Sequence, residues 1–152
     1  MEWTEDLLFK PIAAHFRSKG YKVYREVLVA RKWVDLLAVG NELVAVELKI
    51  RDWRTAIRQA MSYQLGTNYS LVAMPLDHVF TALRFRDIFE REGVGLMAVS
   101  TVIGNVRTLI EPQPSPRLLP FVLDKVLTDR GRKPGKPLKQ RKIPDIKLPS
   151  FE

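Results

Sequence analysis

The sequence predicts an α/β protein: a mixed sheet flanked by helices. Three observations predict it. Hydrophobic periodicity switches along the chain in the order helix, three strands, helix, strand, helix, strand. A helix between the third and fourth strands requires a crossover, and so a parallel pair. Finally, Val34, Leu36 and Ala38 alternate with Leu37 and Val39, and Val44, Val46 and Leu48 alternate with Leu43 and Ala45, so both faces of these strands are apolar. Such strands belong in sheets covered on both sides.

The elements follow in order. Thr4 to Ser18 puts Leu8, Phe9, Ile12, Ala13 and Phe16 on one side of a helix that stops at Lys19-Gly20; Pro11 interrupts it and leaves room for a kink or a later start. Residues Tyr21–Ala30, Trp33–Val39 and Leu43–Ile50 are rich in β-branched and aromatic side chains and read as a three-strand meander. Arg54 to Leu65 returns to helical spacing behind Asp52, an N-cap residue type. A strand at Tyr69–Met74 is closed by Pro75, and a helix at Thr81–Glu92 stops at Gly93. Strands at Gly95–Ser100 and Val106–Ile110 and a short helix at Leu118–Leu127 complete the globule.

At 152 residues the chain fits one domain. It contains no Cys and only two His, which removes disulfides, thiolate sites and a histidine metal cage; any metal must sit on oxygen ligands. The first residues are acidic where a signal peptide would be basic, and no apolar run is long enough to span a membrane, so the expectation is a cytoplasmic, soluble protein. The net charge of +8 is unevenly spread. Residues 130–152 hold eight basic side chains against Asp145 and Glu152, so +6 of the total lies there, and the last 41 residues hold eight of the ten prolines. The expected organisation is a domain over 1–129 followed by a basic, Pro-rich tail over 130–152.

Within doubly covered strands, Asp35, Glu47 and Lys49 stand out, because a buried charge costs several kcal/mol unless it is paired or bound to an ion. Whether they meet depends on the hairpin. A two-residue loop at Gly40-Asn41 would put Asp35 and Glu47 on opposite faces, whereas a three-residue loop, Gly40-Asn41-Glu42, pairs Val39 with Leu43 and sets the two carboxylates side by side; the second is expected. Two carboxylates and an ammonium at a sheet end suit a hard divalent cation, Mg²⁺ first. A buried ion pair that only fixes register reads from the same residue types. Glu5 falls inside the apolar stripe of the first helix and is expected to point at the sheet, although a first-turn carboxylate also complements the helix dipole. Gln59 and Tyr63, one turn apart, flank the small Ala56 and Ala60, which would let this helix approach the sheet and bring both polar groups toward Glu47.

Over residues 2–100 these features resemble the PD-(D/E)XK nuclease superfamily, with its restriction-endonuclease-like α-βββ-α-β core. The pieces are Glu5 on the first helix, Val34-Asp35-Leu36, Val46-Glu47-Leu48-Lys49, the Gln59-to-Tyr63 helix, and a Gly93-Val94-Gly95-Leu96 strand start; Val34 replaces the Pro of the name. The resemblance implies that Asp35, Glu47 and the carbonyl oxygen of Leu48 hold Mg²⁺ or Mn²⁺. It implies that Lys49 orients or deprotonates the attacking water, and that Gln59 and Tyr63 support the site as in the exonuclease-like branch. The implied activity is that of a Mg-dependent deoxyribonuclease, an endonuclease acting on DNA, with a homodimer favoured where both strands are cut. A non-catalytic nucleic-acid-binding or complex-forming protein on the same fold is the alternative.

The tail residues Arg130, Arg132, Lys133, Lys136, Lys139, Arg141 and Lys142 are the expected phosphate contacts, since the globule alone carries only +2. Truncation after Asp129 is expected to weaken DNA binding while sparing chemistry. Losing ~4–6 phosphate contacts, each worth about 0.9 in the log–log salt slope, should flatten the salt dependence of binding to duplex DNA measured by fluorescence anisotropy. An unchanged affinity and slope would assign the tail to another partner.

Overall fold

A computed structural model describes residues 2–100 and 104–129. Six strands form one mixed sheet in the order β1 (Lys22–Val29), β2 (Lys32–Val39), β3 (Leu43–Leu48), β4 (Tyr69–Pro75), β5 (Gly95–Val99) and β6 (Val106–Ile110). Strands β1 to β3 are an antiparallel meander, β3–β4 and β4–β5 are parallel, and β5–β6 is antiparallel. The parallel pair β3–β4 is joined through α2 (Trp53–Tyr63), as the crossover argument requires. Among the described residues no helix is long and apolar enough to cross a membrane.

Each face of the sheet has its own cover. Helix α1 (Glu5–Ser18) packs Leu8, Ile12, Ala13 and Phe16 against Leu36, Ala38, Val46, Leu71 and Met97. On the opposite face α2 sets Ala56, Ile57 and Ala60 against Val72 and Met74, and α5 (Pro120–Asp129) sets Leu123, Val126 and Leu127 against Val27, Val29 and Leu37. The two alanines of α2 are fully buried, which lets the helix lie close to the sheet. Thr4 caps α1 by accepting from the Leu7 N–H, and Asp52 caps α2 by accepting from the Thr55 N–H.

Three local outcomes differ from the sequence expectations. Helix α1 runs unbroken through Pro11. An interior proline costs ~3 kcal/mol, but burying Leu8, Ile12 and Phe16 on one continuous stripe returns roughly 1.5–3 kcal/mol per side chain. The helix expected over 81–92 is two helices, α3 (Val79–Leu83) and α4 (Arg86–Glu92). The break falls at Phe85, whose ring stacks on Trp53 at 4.7 Å between centroids, a tertiary contact that helical periodicity does not reveal. The β1–β2 turn is a two-residue loop, Ala30-Arg31, with both residues at positive φ (48° and 68°). That is the type I′ geometry normally marked by Asn-Gly, a signal this sequence lacks.

Gly95 opens β5 where the chain passes close to its neighbours: a Cβ there would lie 2.7 Å from Leu71 and 2.9 Å from the Ile110 carbonyl oxygen. The carbonyl is backbone and cannot yield. Gly95→Ala is expected to destabilise the protein by roughly 1–3 kcal/mol in urea unfolding; an unchanged midpoint would show that β5 and β6 can separate at little cost.

Candidate functional site

The site lies where the β2–β3 ladder ends and the β1–β2 ladder skips one pair. The β2–β3 ladder runs from Val39↔Leu43 to Leu36↔Val46, the register of the three-residue Gly40-Asn41-Glu42 loop. The loop is closed by the Gly40 N–H donating to the Glu42 carbonyl at 3.0 Å, and a side chain at position 40 would meet the Tyr21 ring at 2.9 Å. One step further the same register sets Asp35 beside Glu47 on the α2 face. There the ladder ends. On the other side of β2, the β1 partners pass from Arg25↔Leu36 to Val27↔Val34, leaving Glu26, at φ 55°, unpaired opposite Asp35.

Asp35 takes over the bonding that the parted strands give up. Its Oδ2 accepts from the Leu48 backbone N–H at 2.8 Å. The next N–H, of Lys49, points the other way, to the Ala73 carbonyl on β4 at 3.0 Å. By strand alternation, the Leu48 carbonyl therefore also turns toward β2 and Asp35.

Glu47 is 5% exposed. The Tyr63 hydroxyl, from the last turn of α2, donates to Glu47 Oε1 at 2.7 Å and also lies 3.1 Å from the Trp33 carbonyl, tying α2, β2 and β3 together. The Glu47 carboxyl lies against that of Asp35. Burial first, and then the charge of Asp35, pushes Glu47 up to about 8, against the opposing pull of the Tyr63 hydrogen bond and Lys49. Burial likewise raises Asp35, with the Leu48 N–H resisting and Glu5 reinforcing. Burial and the adjacent Glu47 raise Tyr63 as well, so it stays a donor. Both carboxyl shifts run in the direction that favours a proton held on this pair.

Lys49 acts on both carboxylates through its charge but forms no ion pair with either. It faces instead a cavity of ≈ 610 Å³ beyond the ends of the parallel strands β3 and β4, whose walls include Trp3, Glu5, Asp52, Asp77 and His78. Glu5 corrects the helical-wheel expectation. It is exposed at the cavity rim rather than turned onto the sheet, because the buried stripe of α1 begins only at Leu8. Its charge still reaches Asp35. Gln59 is half-buried one turn before Tyr63, and its side-chain oxygen is buried with no hydrogen-bond partner. The seven tail cations from Arg130 to Lys142 lie outside the described residues.

Among the described residues no three His, Cys, Asp or Glu side chains come close enough together to hold a metal ion. The donor set is thus two carboxylates and one backbone carbonyl. That suits Mg²⁺, which keeps several waters and takes one or two protein carboxylates. The sequence reading missed Trp33, whose contribution is a backbone carbonyl, and Asp77-His78, which the β4–α3 turn brings into the wall of the cavity that Lys49 also lines. No motif marks either.

No family model matches the chain, and no curated protein matches it at a significant level. Among solved structures it is similar to the SPO1766 protein of unknown function from Silicibacter pomeroyi, at 17% identity over 86% of each chain with a TM-score of 0.65. The likeness extends to the fold.

Because the proton on Glu47 is bound more tightly in the folded than in the unfolded chain, stability attached to it is fully present below about 4.5 and is lost as pH rises toward about 8. Glu47→Gln keeps the shape and removes the titration. Its melting temperature, measured in EDTA, is expected to exceed the wild type's increasingly from pH 4.5 to pH 8.5, by an effect on the order of a few kcal/mol. A gap that does not widen with pH would mean that Glu47 is ionised throughout.

Proposed function

We propose that this protein is a metal-dependent deoxyribonuclease with a restriction-endonuclease-like core, hydrolysing DNA phosphodiester bonds by an activated water. The observation that carries the proposal is the pairing of the half-buried Asp35 with the buried Glu47 where the β2–β3 ladder ends, each held by its own hydrogen bond, with Lys49 next along β3. A structural ion pair would instead oppose unlike charges at contact distance. Two acidic groups set side by side with no cationic side chain in contact among the described residues fit a role outside folding.

Asp35, Glu47 and the Leu48 carbonyl are the residues that would hold Mg²⁺ or Mn²⁺. When bound, the cation supplies charge stabilisation to the phosphoryl oxygens in the transition state. The chain's own groups do the rest. Tyr63, locked as a donor, would keep the Glu47 carboxylate oriented toward such a cation. Asp35 is fixed by the Leu48 N–H. Lys49, without an ion pair among the described residues and lining the cavity, orients the attacking water. Gln59, with its unpartnered oxygen, offers a further acceptor on the same side of α2.

Asp35→Asn or Glu47→Ala is expected to abolish cleavage of plasmid and linear DNA in Mg²⁺ or Mn²⁺, and Lys49→Ala to slow it at least ~100-fold while leaving Mn²⁺ binding by calorimetry largely intact. Cleavage that persists in EDTA would reject the mechanism. DNA retention without cleavage by the wild type would favour a binding protein on this fold.

A further inference from the structure

The cavity beyond β3 and β4 contains a group that the proposed chemistry has not used. His78 sits three residues past the end of β4, and Lys49 one residue past the end of β3; the two strands run parallel, so both residues emerge at the same sheet end and line the same cavity. The turn that carries His78 is held from three sides. Its backbone N–H donates to the Pro75 carbonyl at 3.0 Å, the Leu76 N–H donates to the Val99 carbonyl at 2.8 Å, and Asp77 Oδ1 accepts from Trp3 Nε1 at 3.0 Å. The His78 ring itself is half-buried, makes no capping bond to α3, and has no side-chain hydrogen-bond partner among the described residues. A side chain fixed at its base and free at its tip is placed to meet something that enters.

Resting on the nuclease reading above, we propose that His78 is the general acid that protonates the leaving sugar oxygen. Hydrolysis forms one bond from water oxygen to phosphorus and breaks one from phosphorus to the sugar oxygen, which leaves with the electron pair. Water gives up a proton to solvent and the sugar oxygen takes one, yielding a phosphomonoester and an alcohol. Among the polar side chains of the cavity, few can give that proton. Lys49 is already placed on the attacking water, Asp52 is engaged as the cap of α2, and Asp77 is engaged by Trp3, which leaves His78 as the imidazole among the remaining Arg and carboxyl side chains. Imidazole is the side chain that gives and regains a proton near neutral pH.

The test replaces the leaving oxygen by sulfur, which departs without a proton. Wild type, His78→Gln, His78→Asn and Lys49→Ala are assayed with Mg²⁺ and Mn²⁺ on an oligonucleotide duplex carrying one bridging phosphorothiolate, made separately with sulfur on the 3′ and on the 5′ side, and on its all-oxygen counterpart. Both His78 variants are expected to cut the oxygen bridge at least ~100-fold more slowly than wild type yet cut one of the sulfur bridges within about 3-fold of it, while Lys49→Ala stays slow on all three. The sulfur-to-oxygen rate ratio within one preparation does not depend on the fraction folded, so a destabilised variant still reports. Wild-type activity with His78 variants that match it on oxygen, or remain slow on both sulfur bridges, overturns the assignment of His78 alone. A wild type inactive on all substrates overturns the nuclease reading together with it.

Discussion

Two carboxyl groups side by side in a covered sheet constrain everything around them. Asp35 and Glu47 meet because β2 and β3 stay in register as far as Leu36↔Val46 and then separate. The separation leaves backbone groups without ladder partners, and the carboxylates and Tyr63 meet that need: Leu48 N–H goes to Asp35, and the Trp33 carbonyl faces the Tyr63 hydroxyl. The pair thus substitutes for hydrogen bonds that an uninterrupted sheet would make.

The constraint propagates outward through packing. Tyr63 reaches Glu47 only because Ala56 and Ala60 let α2 settle against the sheet, and because Asp52 starts that helix immediately after β3 ends. On the opposite edge of β2, Glu26 adopts a positive φ at the one step where the β1–β2 ladder lacks a pair. A non-glycine residue in that conformation costs on the order of 1–2 kcal/mol, and it lies directly opposite Asp35.

The parallel pairing of β3 and β4 gives the site its opening. Crossover through α2 makes both strands finish at the same sheet end, where the chain after each strand borders a common cavity. Ligands of open α/β sheets sit outside the carboxyl ends of parallel strands for this topological reason. A neighbour of similar fold at 17% identity shows that the architecture tolerates wide change in sequence, and the fold by itself does not set a function.

Much of this was legible in the sequence. Period-two alternation with both faces apolar marked β2 and β3, the Gly40-Asn41-Glu42 loop set their register, and the mixed sheet followed from helix α2 lying between β3 and β4. The misfit of Asp35, Glu47 and Lys49 among apolar neighbours marked where to look, because the cost of burying charge can be read from residue types alone. The break between α3 and α4, the rim position of Glu5, the Trp33 carbonyl and the convergence of His78 with Lys49 were decided by tertiary structure. Each depends on a contact between residues distant in the chain or on where a helix overruns the sheet, such as the Trp53–Phe85 stack or the Trp3–Asp77 bond. Local pattern reports which face of an element is apolar; only packing settles how far along that face the neighbour extends and which ends meet.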